Sequence, residues 1–311
     1  MITINDTTPG AYLTVTDMLR GEPITQSRAG EMREIRNVAV VSEKPRSRYL
    51  LRDSRWNLAF QLQEHFAYWM GLNPGHVDRY IDLSKWLDDD GKLPGSAYGD
   101  RLRNTAGHDQ IERVVKQLRD NPETRRAVMQ IHQVAVEDYN GPDVSCTESL
   151  QLLMRGGELH MTALIRSQDM YWGYCYDAAN NQFLQELIAG ILRCDVGTYT
   201  HCMTSCHFYT RHEPAVKASH DMYEIGELSD MRQNEAELSL TFQHLSEALE
   251  KARTGVVPQD YFDLPKPYDE WLKAMTAYEQ LRFFDNPDAA WTLVNSMTTD
   301  WMCRWLEARL D

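Results

Sequence analysis

The chain has 311 residues, 42% of them hydrophobic and 25% charged, with 32 Lys+Arg against 46 Asp+Glu for a formal charge of −14. These fractions belong to a folded globular protein, and the acidic field repels phosphate backbones and anionic lipid, so neither nucleic acid nor membrane is expected as a partner. No apolar run reaches the roughly 18 residues of a membrane span, and MITINDTTPG lacks both a basic and an apolar leader region, so a cytoplasmic location is expected.

Residues 55 to 70, RWNLAFQLQEHFAYWM, put Leu58, Leu62, His65, Phe66 and Trp69 at helical spacing before Gly71, which predicts a helix and its stop. Ile111, Val114, Val115 and Leu118 repeat the pattern over 108 to 120, and Asn121-Pro122 ends it. The period then changes. AVMQIHQVAV, ESLQLLMRGG and ELHMTALIRS are short apolar runs that predict strands, the last two joined by Gly156-Gly157. Phe183, Leu184, Leu187, Ile188, Ile191 and Leu192 mark a central helix over 178 to 193, and VGTYTHCMTSCHFYTRH reads as another strand. Beyond about residue 213 the chain turns polar and helical. Leu238, Phe242, Leu245 and Leu249 form one face ended by Gly255, with further helical stretches around 267 to 283 and 288 to 309. An α+β fold is expected: a mixed sheet packed with helices over residues 1 to 212, and a helical C-terminal extension over 213 to 311 packed on it.

Cys146, Cys175, Cys194, Cys202, Cys206 and Cys303 are too sparse for a disulfide framework and too irregular for a zinc ribbon. Reduced thiols and no metal are expected. His201-Cys202-x3-Cys206-His207 reads as a buried strand carrying small cysteines rather than as a metal site.

The segment PDVSCTESLQLLMRGGELHMTALIRSQDMYWGYCYDAANNQFLQELIAG is similar to the core of the thymidylate synthase family, in which a nucleophilic cysteine precedes a QRS-x-D strand and a G-x-x-x-N helix start. Tyr98-Gly99 with Arg101, Asn121-Pro122 with Arg125-Arg126, and His207-Phe208-Tyr209 with His212 resemble three further family motifs in the right order, over residues 28 to 212. The resemblance implies a thymidylate synthase-like fold and a homodimer. Cys146 would be the nucleophile that adds to C6 of a pyrimidine nucleoside monophosphate, and 5,10-methylenetetrahydrofolate the one-carbon donor. A thiolate is needed for this, and Arg166 is the expected source of the positive charge that lowers the cysteine pKa. A dianionic phosphate entering so acidic a protein needs a basic cluster. Arg166, Ser167, Arg28 and the paired Arg125 and Arg126 of the partner subunit would supply it. The resemblance further implies Glu64 as general acid/base, Tyr98 in the water and proton path, Asp169 on the pterin, and His207 with Tyr209 on the ribose 3′-hydroxyl.

Asp177 departs from the asparagine that the thymidylate synthases carry. An amide there donates to O4 and accepts from N3–H of uracil, whereas cytosine offers an amino donor and an N3 acceptor. A carboxyl that shares a proton supplies the reversed pattern. Asp177, the Cys146-Thr147 pair and the Arg166-Ser167-Gln168-Asp169 run resemble the dCMP hydroxymethylase branch, in which water rather than hydride completes the reaction. The ending MCRWLEARLD agrees with that outcome, because it lacks the apolar tail that excludes water in thymidylate synthases. The expected activity is 5-hydroxymethylation of CMP or dCMP. A thymidylate synthase or uridylate hydroxymethylase, and a non-catalytic nucleotide-binding homologue, are the alternatives.

Overall fold

The computed structural model describes residues 1–51, 56–104, 107–220, 224–257 and 264–310. In chain order these form β1 (Ile2–Asn5), α1 (Thr8–Arg20), β2 (Ile24–Ser27), β3 (Gly30–Ser42), β4 (Ser47–Leu51), α2 (Leu58–Met70), α3 (Tyr98–Arg103), α4 (Gln110–Asp120), β5 (Val128–Gln130), β6 (Thr147–Arg155) and β7 (Glu158–Asp169). There follow α5 (Tyr174–Leu192), β8 (Asp195–Tyr209), α6 (Glu213–Ser219), β9 (Glu224–Glu227), α7 (Glu235–Arg253), α8 (Lys266–Phe283), α9 (Pro287–Asn295) and α10 (Asp300–Leu310).

Seven strands make one mixed sheet in the order β1-β3-β8-β7-β6-β5, with β2 folded back on the start of β3. The pair β7 and β8 is parallel, so the chain must cross between them, and α5 is that crossover. Its first turn therefore lies just past the end of β7, which is how Asp177 comes to stand beside the strand ends. Gly156 and Gly157, at φ +60° and +86°, form the turn between β6 and β7.

Local chemistry sets the helix limits. The Asn57 side chain caps α2 by accepting from the Phe60 amide, and Gly71, at φ +69°, closes it. Asp109 caps α4 through the Glu112 amide. α5 is apolar or buried on nearly every side, as befits a helix held between the sheet and α1, α2 and α4 and touched also by the C-terminal helices. Among the latter, the fully buried Trp271 of α8 stands edge-on to His65 and Phe183, with centroids 6.1 and 5.7 Å away. Truncating such a ring costs about 3–5 kcal/mol.

Three expectations need correction. AVMQIHQVAV is a strand only over β5, because the loop that follows carries Glu137 into the interior to meet Arg101. The stretch 288 to 309 is two helices, α9 and α10, with Thr298 and Thr299 between them donating their amides to the buried Glu270. The C-terminal part is not wholly helical either. β9 pairs antiparallel with β4, Leu50 against Ile225, in a separate two-stranded sheet.

Candidate active site

Cys146 sits immediately before β6, at the end of a loop fixed from several sides. Asp143 accepts from the Gly95 and Ser96 amides at 2.9 and 2.7 Å. Glu137, its side chain fully buried, accepts from the Ser145 hydroxyl at 2.6 Å and pairs with Arg101 at 3.2 Å. The Tyr98 hydroxyl accepts from the amides of both Cys146 and Thr147, at 3.1 and 3.2 Å, which leaves its own proton to donate. Tyr98 reaches this position because the next residue is glycine: a Cβ on Gly99 would stand 2.4 Å from the Ala67 carbonyl oxygen of α2.

Arg166, on β7, braces the same loop. Its Nε donates to the Ser145 carbonyl at 2.8 Å, and Nη2 donates to Val144 O at 2.9 Å while lying 3.8 Å from Cys146 Sγ. This contact is the one the sequence anticipates, but its effect on the thiol is outweighed. Burial pushes the Cys146 pKa up to about 11, against the lowering by Arg166 and with help from Asp177, Asp143 and Asp169. Burial thus favours the thiol over the thiolate here, and the lowering by Arg166 that the sequence anticipates is present without prevailing.

Two carboxyls face this region, each held through one oxygen by a chain of hydrogen bonds of definite direction. Glu64, on α2, accepts on Oε2 from Asn180 Nδ2 at 2.8 Å. Asn180 Oδ1 accepts from Gln61 Nε2 at 2.9 Å and meets His65 Nδ1 at 2.6 Å, while His65 Nε2 meets the Tyr49 hydroxyl at 3.0 Å. Behind Tyr49 lies the fully buried pair Arg48–Glu186, 2.8 Å apart. Burial holds His65 well below the ordinary histidine range, so the ring is neutral. Burial, opposed by the Asn180 bond and reinforced by the charge of Asp177, lifts Glu64 to about 8. It is protonated at neutral pH.

Asp177, in the first turn of α5, accepts on Oδ2 from Gln168 Nε2 at 2.9 Å. Gln168 Oε1 meets His201 Nε2 at 2.8 Å, His201 Nδ1 meets the Tyr199 hydroxyl at 2.6 Å, and Asn181 Nδ2 donates to that hydroxyl at 3.1 Å. Burial drives His201 down to about 3. Burial lifts Asp177 to about 6 against the Gln168 bond, so this carboxyl titrates close to neutrality.

The remaining residues divide by position. Asp169 ends β7 level with His207 on β8, and its Oδ1 accepts from the Tyr171 amide at 2.8 Å beside the half-exposed Trp172. Ser167 lies two residues before it on β7, level with Ser205. The rings of His207 and Tyr209 meet edge-on at 5.3 Å. Arg28 is exposed in the tight turn between β2 and β3, at the Tyr209 end of the sheet, since Met32 pairs with Tyr209. Arg125 and Arg126 are exposed and remote from this chain's own Cys146. The β5–β6 register, Met129 against Leu150, sets Arg126 level with Leu153, seven residues along β6 and therefore about 23 Å from Cys146.

Sequence reasoning passed over Gln168, His201, Tyr199, Asn180, His65 and Tyr68. The Tyr68 hydroxyl is buried without a hydrogen-bond partner among the described residues, and its ring stands edge-on to Tyr98 at 6.0 Å. One signal was available: six amides and a histidine, Gln61, Gln63, His65, Asn180, Asn181, Gln182 and Gln185, sit in helices otherwise apolar enough to be interior.

Residues 49–245 match the thymidylate synthase family model. A protein of Methanothermobacter marburgensis, provisionally named a thymidylate synthase, is 29% identical over 195 residues, covering 62% of this chain and 84% of its own length. The thymidylate synthase of Bacillus mojavensis is 31% identical over 134 residues, 41% of this chain and 47% of that one. Among solved structures, T4 phage thymidylate synthase superposes with a TM-score of 0.58 at 17% identity over 68% of this chain and 79% of that one. Thymidylate synthase A of Bacillus subtilis gives 0.58 at 20% identity over 72% and 88%. These likenesses carry the fold. The chain belongs to the thymidylate synthase family, folate-dependent one-carbon transferases that act on a pyrimidine nucleoside monophosphate.

Proposed function

We propose that this chain is a cytidylate 5-hydroxymethylase, which moves the one-carbon unit of 5,10-methylenetetrahydrofolate to C5 of CMP or dCMP and completes the reaction with water. The observation that carries this reading is Asp177, a carboxyl with its pKa near 6 at the position where the family resemblance leads one to expect an amide. A carboxyl sharing a proton accepts from the cytosine amino group and donates toward N3, whereas uracil presents the opposite pair.

The other residues have roles under this reading. Cys146 Sγ adds to C6, giving up its proton as the bond forms, and the addition makes C5 a nucleophile. The Tyr98 hydroxyl is fixed by two amide donors with its proton free for the base or a water. Glu64, protonated at pH 7 and held through Oε2, keeps its other oxygen available as general acid and later as base toward the attacking water. Arg166 and Ser167 meet the phosphate. His207 and Tyr209 take the sugar hydroxyl. The folate supplies an electrophilic one-carbon unit. Asp169, with one oxygen on the Tyr171 amide and the edge-on Tyr171–Trp172 ring pair following it in the chain, suits the amino and N3–H edge of a pterin.

The homodimer belongs to the same proposal. Arg125 and Arg126 lie too far from Cys146 to serve it within one chain, and the outer face of the sheet leaves Leu164 42% exposed beside Cys202. A partner seated on that face could bring its own Arg125 and Arg126 to the phosphate, and family members are typically dimeric. The names of the relatives favour a second reading, thymidylate synthesis or uridylate hydroxymethylation with Asp177 as a variant reader. Product analysis with CMP, dCMP, UMP and dUMP plus methylenetetrahydrofolate decides. A 5-hydroxymethylcytidylate product supports the first reading; turnover confined to uridylates overturns it.

A further inference from the structure

We infer that Gln168, oriented by His201 and Tyr199, is a positioning residue for base selection, making one oxygen of Asp177 a fixed acceptor and favouring the other for any carboxyl proton. The inference rests on the cytidylate reading and says how a symmetric carboxyl comes to have a defined donor edge and acceptor edge.

The direction of the chain follows from its members. A neutral imidazole carries one N–H. If Asp177 Oδ2 is to be an acceptor, Gln168 must present its NH2 there, so its Oε1 faces His201 and must receive a proton from His201 Nε2. His201 Nδ1 is then bare and accepts from the Tyr199 hydroxyl, whose oxygen in turn accepts from Asn181 Nδ2. Every contact from Asn181 to Asp177 is satisfied in this one sense. His201 and Gln168 are 0% and 1% exposed, so solvent does not offer alternative partners. The Gln168 N–H occupies one lone pair of Oδ2 and makes it the less basic oxygen, so the proton favours Oδ1. Oδ2 therefore accepts from the base as well, which suits the cytosine amino group, and Oδ1 carries the proton that can meet N3. Uracil would set O4 against the accepting oxygen.

Gly173 supplies an independent sign that the Gln168–Asp177 contact is built into the fold. A Cβ there would stand 2.7 Å from Gln168 Nε2 and 3.1 Å from Asp177 Oδ2, so any larger residue would wedge the two apart.

The test compares kcat/KM for cytidylate with that for uridylate in the full-length enzyme. Gln168→Leu frees the carboxyl to hold its proton on either oxygen, and the cytidylate-to-uridylate ratio should fall at least tenfold, with uridylate gaining relative to cytidylate. Tyr199→Phe, which keeps the ring volume and removes only the hydroxyl that orders His201, should lower the ratio in the same direction by a smaller factor, so the idea survives or falls even if Gln168→Leu folds poorly. In an Asp177→Ala background, Gln168→Leu should leave the ratio of CMP to UMP affinities, measured by calorimetry, unchanged. Equal losses on both substrates in both variants would reduce Gln168 to a structural role and overturn the inference, as would a ratio that still falls without Asp177. A wild-type enzyme that prefers uridylate overturns the cytidylate reading instead; a cytidylate-preferring enzyme whose ratio survives both substitutions overturns only the inference drawn here.

Discussion

Asn180 donates to Glu64 at 2.8 Å while accepting from His65 at 2.6 Å, so a single amide ties the carboxyl that α2 points at the site to a neutral histidine one residue away on the same helix. Glu64 consequently accepts on Oε2 and holds its proton on Oε1. With its pKa lifted by burial to about 8 from 4.5, the folded chain retains a proton between those pH values that the unfolded chain has released.

The carboxyl's contribution to stability is thus fully present below pH 4.5 and is lost as pH rises toward 8, with a slope of up to about 1.4 kcal/mol per pH unit. Asp177 acts in the same sense between its ordinary value and about 6. Glu64→Gln imitates the protonated form and should flatten the dependence. Urea unfolding at pH 5, 7 and 9 should show the variant gaining on the wild type as pH rises; parallel curves would mean that Glu64 is ionised throughout.

For the nucleophile, Cys146→Ala should abolish product formation and tritium release from 5-³H-cytidylate while leaving nucleotide affinity within about tenfold, a window of about 1.4 kcal/mol. Continued tritium exchange would remove Cys146 from its role.

The thiol itself offers a check that needs no substrate. Its pKa of about 11 includes a lowering by Arg166, so Arg166→Met should move the midpoint of iodoacetamide reactivity further up. A downward shift would contradict the balance of burial and charge described above.

Asp177→Asn should exchange the base. The chain behind it can run backwards: Gln168 turns its carbonyl to the new NH2, His201 moves its proton to Nδ1, and the Tyr199 hydroxyl finds Asn181 Oδ1, which has no partner among the described residues, once that amide turns over. Uridylate kcat/KM should rise and cytidylate kcat/KM fall, shifting the ratio by roughly 30-fold or more, the equivalent of about 2 kcal/mol. A retained cytidylate preference would place base choice elsewhere.

Mixing Arg126→Ala subunits with Cys146→Ala subunits should restore one working site per heterodimer, because each chain lacks what the other provides. No recovery, with exchange verified by mass spectrometry of the intact dimer, would mean that each site is complete within one chain.

The sequence made the strands β6, β7 and β8 and the helices α2, α4 and α5 legible because each is long and strongly periodic. It did not reveal β9, four residues whose partner β4 lies some 180 positions earlier and whose existence depends on that pairing. Cys146, Arg166, Tyr98 and Asp177 became candidates through the family resemblance of the motifs that hold them. The state of the thiol was not legible, since desolvation is a property of the closed loop around Cys146 and leaves no local trace in the chain. Gln168 and Asn180 escaped for a similar reason: each has meaning only through a histidine from another strand or helix.

Residues beyond β8 also complete the buried surroundings of the Arg48–Glu186 pair. Glu186 receives Arg48 from one side and the Met231 amide from the other, at 2.8 and 3.1 Å, and Tyr268 closes over Met231 by donating its hydroxyl to that residue's carbonyl. The chain up to β8 has every strand of the large sheet but lacks Met231 and Tyr268, which close over this charged pair. The interior around Glu186 is therefore completed only by residues that follow the large sheet in the chain, Met231 and Tyr268.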